Sequence, residues 1–118
     1  YALSCPERLD GVVAPLDFAT FGSLTFQLPD RERFPSLQLA YDALAAGGLM
    51  PTVMNAANEI AVQKFHDQAL SFTAMPRLVR AVMERFVPPT SVTLEAILWA
   101  DTWARDEAEK LVSQKKVS

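Results

Sequence analysis

The chain is poor in the residues that most site chemistry needs. Its 118 residues include one cysteine, Cys5, and one histidine, His66. A single thiol excludes an internal disulfide framework and a thiolate metal site, and it fits a reducing, hence cytoplasmic, compartment. With one imidazole, a metal would depend on carboxylates, and no D-x-D or E-x-x-H spacing is present. His66 and Asp67 are sequence neighbours, which points them apart on a helix and argues against a triad. Glycine is scarce, and neither G-x-G-x-x-G nor a phosphate-binding loop occurs; Gly47-Gly48 reads as a helix stop. Long apolar runs are missing too. The most apolar stretch, Ala43 to Met54, is interrupted by Gly47, Gly48 and Pro51, so no membrane span is expected. The net charge is −3, and the only basic cluster is Lys115 and Lys116, which excludes nucleic acid as an expected partner.

What is present is the composition of one ordinary globular domain: half the residues are apolar and a fifth are charged. The chain starts at Tyr1 with no initiator methionine and no signal peptide, so a segment of a longer protein is expected. Residues 1–22, including "CPERLDGVVAPLDFATFG", have no regular periodicity and read as an extended linker. "SLTFQL" (23–28) alternates in part and is stopped by Pro29 and Asp30, which predicts one short strand. That strand has no partner in its own chain, so its backbone groups need an edge elsewhere.

Four helices are expected after it. The first starts at Pro35 and stops near Gly47-Gly48, with Leu37, Ala40, Tyr41 and Leu44 on one face. The second runs from about Pro51 to Gln68. The third starts after Thr73 as N-cap, with Met75, Leu78, Val79, Val82, Met83 and Phe86 in one stripe opposite Arg77, Arg80, Glu84 and Arg85. "VPPTS" ends it. The fourth runs from Val92 or Thr93 into the tail, with Glu95 and Asp101 early and Lys110, Lys115 and Lys116 late, in the sense that suits the helix dipole. The expected fold is mainly α: a small, mostly antiparallel four-helix bundle (34–118) behind an extended arm (1–33) with a short strand.

Two helices carry candidate site residues. In "MPTVMNAANEIAVQKF", Asn55, Glu59, Gln63 and His66 share a polar arc, while Asn58 falls between Phe65 and Val62. Asn58 is therefore expected to be a buried, fully hydrogen-bonded polar tie rather than a ligand contact. Asn55 and Glu59 are expected on a solvated or interdomain face. In the last helix, Asp101 and Arg105 at i, i+4 predict a structural ion pair. Trp99 and Trp103 lie on one side and need cover, from the arm or from a partner. No catalytic, cofactor or metal residue is expected; Asn55, Asn58, Glu59, Asp101 and Arg105 are expected to be structural.

Taken in order, "PLDFATFGSLTFQLPDRERFPSLQLA", "GG", "NAANEIAVQKF" and "ILWADTWAR" resemble the C-terminal part of the 1-deoxy-D-xylulose 5-phosphate reductoisomerase family, from about Pro6 to Arg105. Met54 stands where that family has leucine. The resemblance implies a parent enzyme that converts 1-deoxy-D-xylulose 5-phosphate to 2-C-methyl-D-erythritol 4-phosphate, with NADPH and a divalent cation (Mg2+ or Mn2+), in the non-mevalonate route to isoprenoids. It also implies a homodimeric parent whose N-terminal dinucleotide-binding and catalytic domains lie upstream and hold all the reactive groups. This chain would then be the linker and helical domain, binding no cofactor and inactive alone. The alternative is a free-standing helical interaction module that docks through Trp99 and Trp103.

Overall fold

The computed structural model describes residues 2–7, 9, 11, 14–89 and 91–114. Tyr1, Thr90, Lys115 and Lys116, each used in the sequence reading, lie outside the described residues. The elements run α1 (Phe18–Phe21), α2 (Pro35–Ala46), α3 (Met50–His66), a 3-10 turn (Phe72–Ala74), α4 (Met75–Arg85) and α5 (Leu94–Ser113). The protein is mainly helical, as its sequence leads one to expect.

The helix boundaries follow local chemistry. Asp30 organises the turn before α2: its carboxylate accepts from the amides of Glu32 and Arg33 at 3.1 and 2.9 Å. Pro35 then opens the helix, where its missing N–H costs nothing. Gly47 closes α2 with φ at 65°, a region that side chains with a Cβ rarely enter, and its amide donates to the Ala43 carbonyl. Thr93 caps α5, its hydroxyl accepting from the amide of Ala96 at 3.2 Å. Thr73, by contrast, is not the N-cap of α4. It lies inside the 3-10 turn, and Ala74 precedes the helix without a side-chain cap.

The core lies among α2 to α5, with α3 in contact with each of the other three. Val53, Ala56, Ala57, Ile60 and Ala61 of α3 are buried. Ala100, Ala104 and Ala108 of α5, at i, i+4 and i+8, are fully buried as well. Such small residues let the backbones of α3 and α5 approach closely. α4 contributes Leu78, Val79, Val82 and Met83.

Three expectations need correcting. Residues 23–28 run without helix or strand, and among the described residues there is no strand at all. A strand exists only with a partner ladder, and the described residues offer none. Where only linker was expected, one turn of helix forms instead: Asp17 accepts from the amide of Ala19 at 3.0 Å and from the hydroxyl of Thr20 at 2.6 Å. Second, the face of α2 bearing Leu37, Ala40, Tyr41 and Leu44 points outward; Leu39 and Ala43, on the other side, are the buried pair. Third, Asn58 is exposed. α3 is apolar over most of its circumference, so a wheel alone cannot select the arc that faces the core. The arc selected centres on Val53 and Ile60, leaving Asn58 outside with Val62 and Phe65.

The arm makes the molecule long. The radius of gyration is 19.1 Å, against about 13 Å for a compact chain near this size. The accessible surface is 9041 Å², against roughly 6,300 Å² for a folded monomer of this mass.

Candidate functional site

Four of the five polar residues singled out in the sequence, Asn55, Glu59, Asp101 and Arg105, meet on one edge of the α3–α5 contact. The Asn55 carboxamide donates to Glu59 Oε1 at 3.1 Å. The other oxygen of Glu59 accepts from Arg105 Nη2 at 2.6 Å, across from α3 to α5. Arg105 also grips Asp101 with two donors, Nε at 2.8 Å and Nη2 at 3.1 Å. One guanidinium thus serves two carboxylates, a geometry that a lysine could not reproduce. The hydrogen bond from Arg105, then that from Asn55, holds the Glu59 carboxyl below its ordinary range. The hydrogen bonds from Arg105 do the same for Asp101. Both carboxylates in turn raise the Arg105 guanidinium further above its ordinary value.

The geometry of this cluster is that of a clasp between α3 and α5. Every strong group in it is already satisfied by another member, and it lies at the surface rather than in a cleft. Two more ion pairs extend the clasp along α5: Lys64 with Glu109 at 2.7 Å, and Arg85 with Glu107 at 2.6 Å. The sequence reading missed both, because pairs 45 and 22 residues apart leave no local spacing signal. Asn58 stands apart from the clasp. It borders an open groove of about 460 Å³ with Arg33, Phe34, Ser36, Phe72 and Met75.

Within the chain, Phe86 packs against both tryptophans. Phe86, where the chain turns extended at the end of α4, packs on Trp103 at 5.2 Å and on Trp99 at 6.0 Å between ring centroids. Trp103 is half-buried by this contact, and Trp99 keeps 48% of its surface exposed. As a docking face the pair is therefore only half available.

Among the described residues, no three His, Cys, Asp or Glu side chains are grouped to hold a metal ion. The Gly47-Gly48 turn donates the Met50 amide back to the Gly47 carbonyl, and so closes a helix junction rather than cradling a phosphate. Among the described residues no helix is long and apolar enough to cross a membrane.

Fold and site together define a mainly helical chain whose α3 and α5 are joined by ion pairs. The chain belongs to the DXP reductoisomerase C-terminal domain family, whose model matches residues 1–107. It is 47% identical over 112 residues to the 1-deoxy-D-xylulose 5-phosphate reductoisomerase of Geobacter metallireducens, covering 95% of this chain and 29% of that protein. It is 52% identical over 110 residues to the enzyme of the same name from Symbiobacterium thermophilum, covering 93% and 28%. The solved structure of 1-deoxy-D-xylulose 5-phosphate reductoisomerase from Zymomonas mobilis in complex with NADPH superposes with a TM-score of 0.80 at 38% identity, over 93% of this chain and 29% of that one. A second solved reductoisomerase, with fosmidomycin and magnesium, gives 0.78 at 32% identity. This chain therefore spans less than a third of the length of these relatives.

Proposed function

We propose that the chain is the linker and C-terminal helical domain of a 1-deoxy-D-xylulose 5-phosphate reductoisomerase. The parent is an oxidoreductase of non-mevalonate isoprenoid biosynthesis, cytoplasmic and homodimeric, that uses NADPH and a divalent cation. Residues 34–118 buttress the catalytic domain, and residues 1–33 set the position of the bundle against it. The reactive groups belong to the other domains, and this chain turns nothing over by itself. One observation carries the reading: near-half identity runs almost end to end along this chain yet covers under a third of each relative. The arm supports it. Its extended 23–28 segment becomes a strand once the parent's sheet supplies an edge. The clasp of Glu59, Arg105 and Asp101 then has a plain purpose, keeping α5 fixed on α3 so that the bundle acts as one rigid support.

The test is complementation. The Zymomonas mobilis relative, truncated at the matched segment, is expected to lose 1-deoxy-D-xylulose 5-phosphate-dependent NADPH oxidation. Replacing that segment with this chain is expected to restore it. The purified 118-residue chain should show no turnover with the same substrate, NADPH and Mg2+. Turnover by the chain alone, or a soluble chimera without activity, would overturn the proposal.

A further inference from the structure

The joint between arm and bundle is stiff for reasons that begin in the sequence. Residues 23–46 contain no glycine, and Pro29 and Pro35, each with φ fixed by its ring, bracket the turn at 31–33. Asp30 fills that turn. Its carboxylate accepts from the amides of Glu32 and Arg33, and its carbonyl accepts from the amide of Phe34 at 2.9 Å. One residue thus engages three consecutive amides.

Arg31 ties the turn to α2 from the side. Its Nη1 donates to Gln38 Oε1 at 2.7 Å, and its guanidinium lies 5.2 Å from the centre of the Tyr41 ring. Gln38 Nε2 donates onward to Asp42 Oδ1 at 2.6 Å. The direction of this carboxamide matters. Turned over, its NH2 would face the Arg31 donor and its oxygen would face the Asp42 carboxylate, and both contacts would be repulsive. Asp42 therefore holds Gln38 with its acceptor toward Arg31, and the carboxylate acts on Arg31 through Gln38. Gln38, Tyr41 and Asp42 stand at i, i+3 and i+4, so one turn of α2 presents all three on the same side. Upstream the chain differs. Among the described residues, Leu24 to Leu28 form no backbone hydrogen bond, and Gly22 stands at φ 69°.

We infer that residues 29–35 form a fixed elbow, latched to α2 through Arg31, with Gln38 relaying the hold of Asp42. The turn and the bundle then move as one body, and any swing of the arm takes place upstream of Pro29. The elbow stands on contacts within this chain and goes beyond the proposed function, whose failure would leave it in place.

NMR relaxation and amide exchange on the 118-residue chain test this. The amides of Arg31, Glu32 and Arg33 should have order parameters near the rigid-backbone value of about 0.85, and those of Leu24 to Leu28 should lie below about 0.6. Arg31→Ala should speed exchange of the Phe34 amide at least about threefold, as contacts that hold the turn closed are lost. Asp42→Ala should speed it too, although its hydrogen bond goes to Gln38 and not to the arm. The double variant should be no faster than Arg31→Ala alone, because both substitutions open the same latch. Both side chains are exposed, so exchange in α4 should stay as it was in every variant. Order parameters below about 0.6 at 31–33 would make the joint a hinge and overturn the inference. So would an Asp42→Ala chain that exchanges like wild type, or effects that simply add in the double variant, since either removes the relay. A variant that loosens α4 as much as Phe34 would assign Arg31 to the stability of the whole bundle, and the latch would fall.

Discussion

The arm carries Leu16, Phe18, Phe21, Leu24, Phe26 and Leu28, each more than half exposed; α4 carries Leu78, Val79, Val82 and Met83, each buried. Both stretches are rich in large apolar side chains. They differ in what stands opposite them. α4 faces α3 and α5 across a shared core, while no apolar residue of the arm belongs to that core. Apolar content therefore does not mark core here; the presence of a facing surface does. α2 combines both conditions in one helix, buried at Leu39 and Ala43 and bare along Leu37, Tyr41 and Leu44.

The sharpest way to break this contrast is to cut one large side chain from each region. Leu78 is fully buried, and Leu78→Ala should cost about 2–5 kcal/mol in urea unfolding, through lost transfer energy and the cavity left behind. Phe26 is 86% exposed, and Phe26→Ala should leave the midpoint nearly where it was, within about 0.5 kcal/mol. Equal costs would mean that the arm packs on the bundle, and the two regions would no longer differ.

How far the fold can be read from the chain depends on which helix is read. α4 is plain: its apolar stripe stands opposite Arg77, Arg80, Glu84 and Arg85, so only one orientation buries the stripe without burying charge. Pro35 and Gly47 mark the ends of α2 just as plainly. The orientations of α2 and α3 are not legible in that way. Both have apolar side chains on more than one arc, and the deciding factor is the neighbour each arc meets. For α3 the arc that meets α4 and α5 is the one carrying Val53, Ala56, Ala57, Ile60 and Ala61. The clasp is legible only where it is local. Asp101 and Arg105 are one turn apart, but Glu59 joins them from 46 residues away.

A smaller effect tests whether the clasp belongs to the bundle's stability. Glu59 and Asp101 have carboxyls held low by Arg105 in the folded state. A group with a depressed folded pKa stabilises fully above its unfolded value and loses that contribution as pH falls through the folded one. The stability difference between the wild-type chain and Arg105→Gln should therefore be present at neutral pH. It should shrink as pH drops below the ordinary carboxylate range, about 4, and vanish once both carboxyls are protonated. Added salt should reduce it at neutral pH, because the groups are largely exposed. A difference that stays constant from neutral to strongly acid pH would assign the effect to the packing of the Arg105 stem instead.

The smallest expected effect is the most diagnostic for α3. Read on a wheel, Asn58 belongs inside, and Asn58→Ala would then strip hydrogen bonds from a buried carboxamide at a cost of roughly 1–3 kcal/mol. In the folded chain Asn58 faces solvent at the rim of the groove beside Phe34 and Phe72. Its loss should then move the unfolding midpoint by no more than about 0.5 kcal/mol, the range for surface positions. Ala57 is its immediate neighbour and is fully buried, so enlarging it to Leu should destabilise by about 1–3 kcal/mol through overpacking. The two substitutions, one residue apart, fix the rotation of α3 independently of the arm. If Asn58→Ala proves costly while Ala57→Leu is tolerated, α3 is turned so that Asn58, Val62 and Phe65 face the core. The groove beside Phe34 and Phe72 would then close.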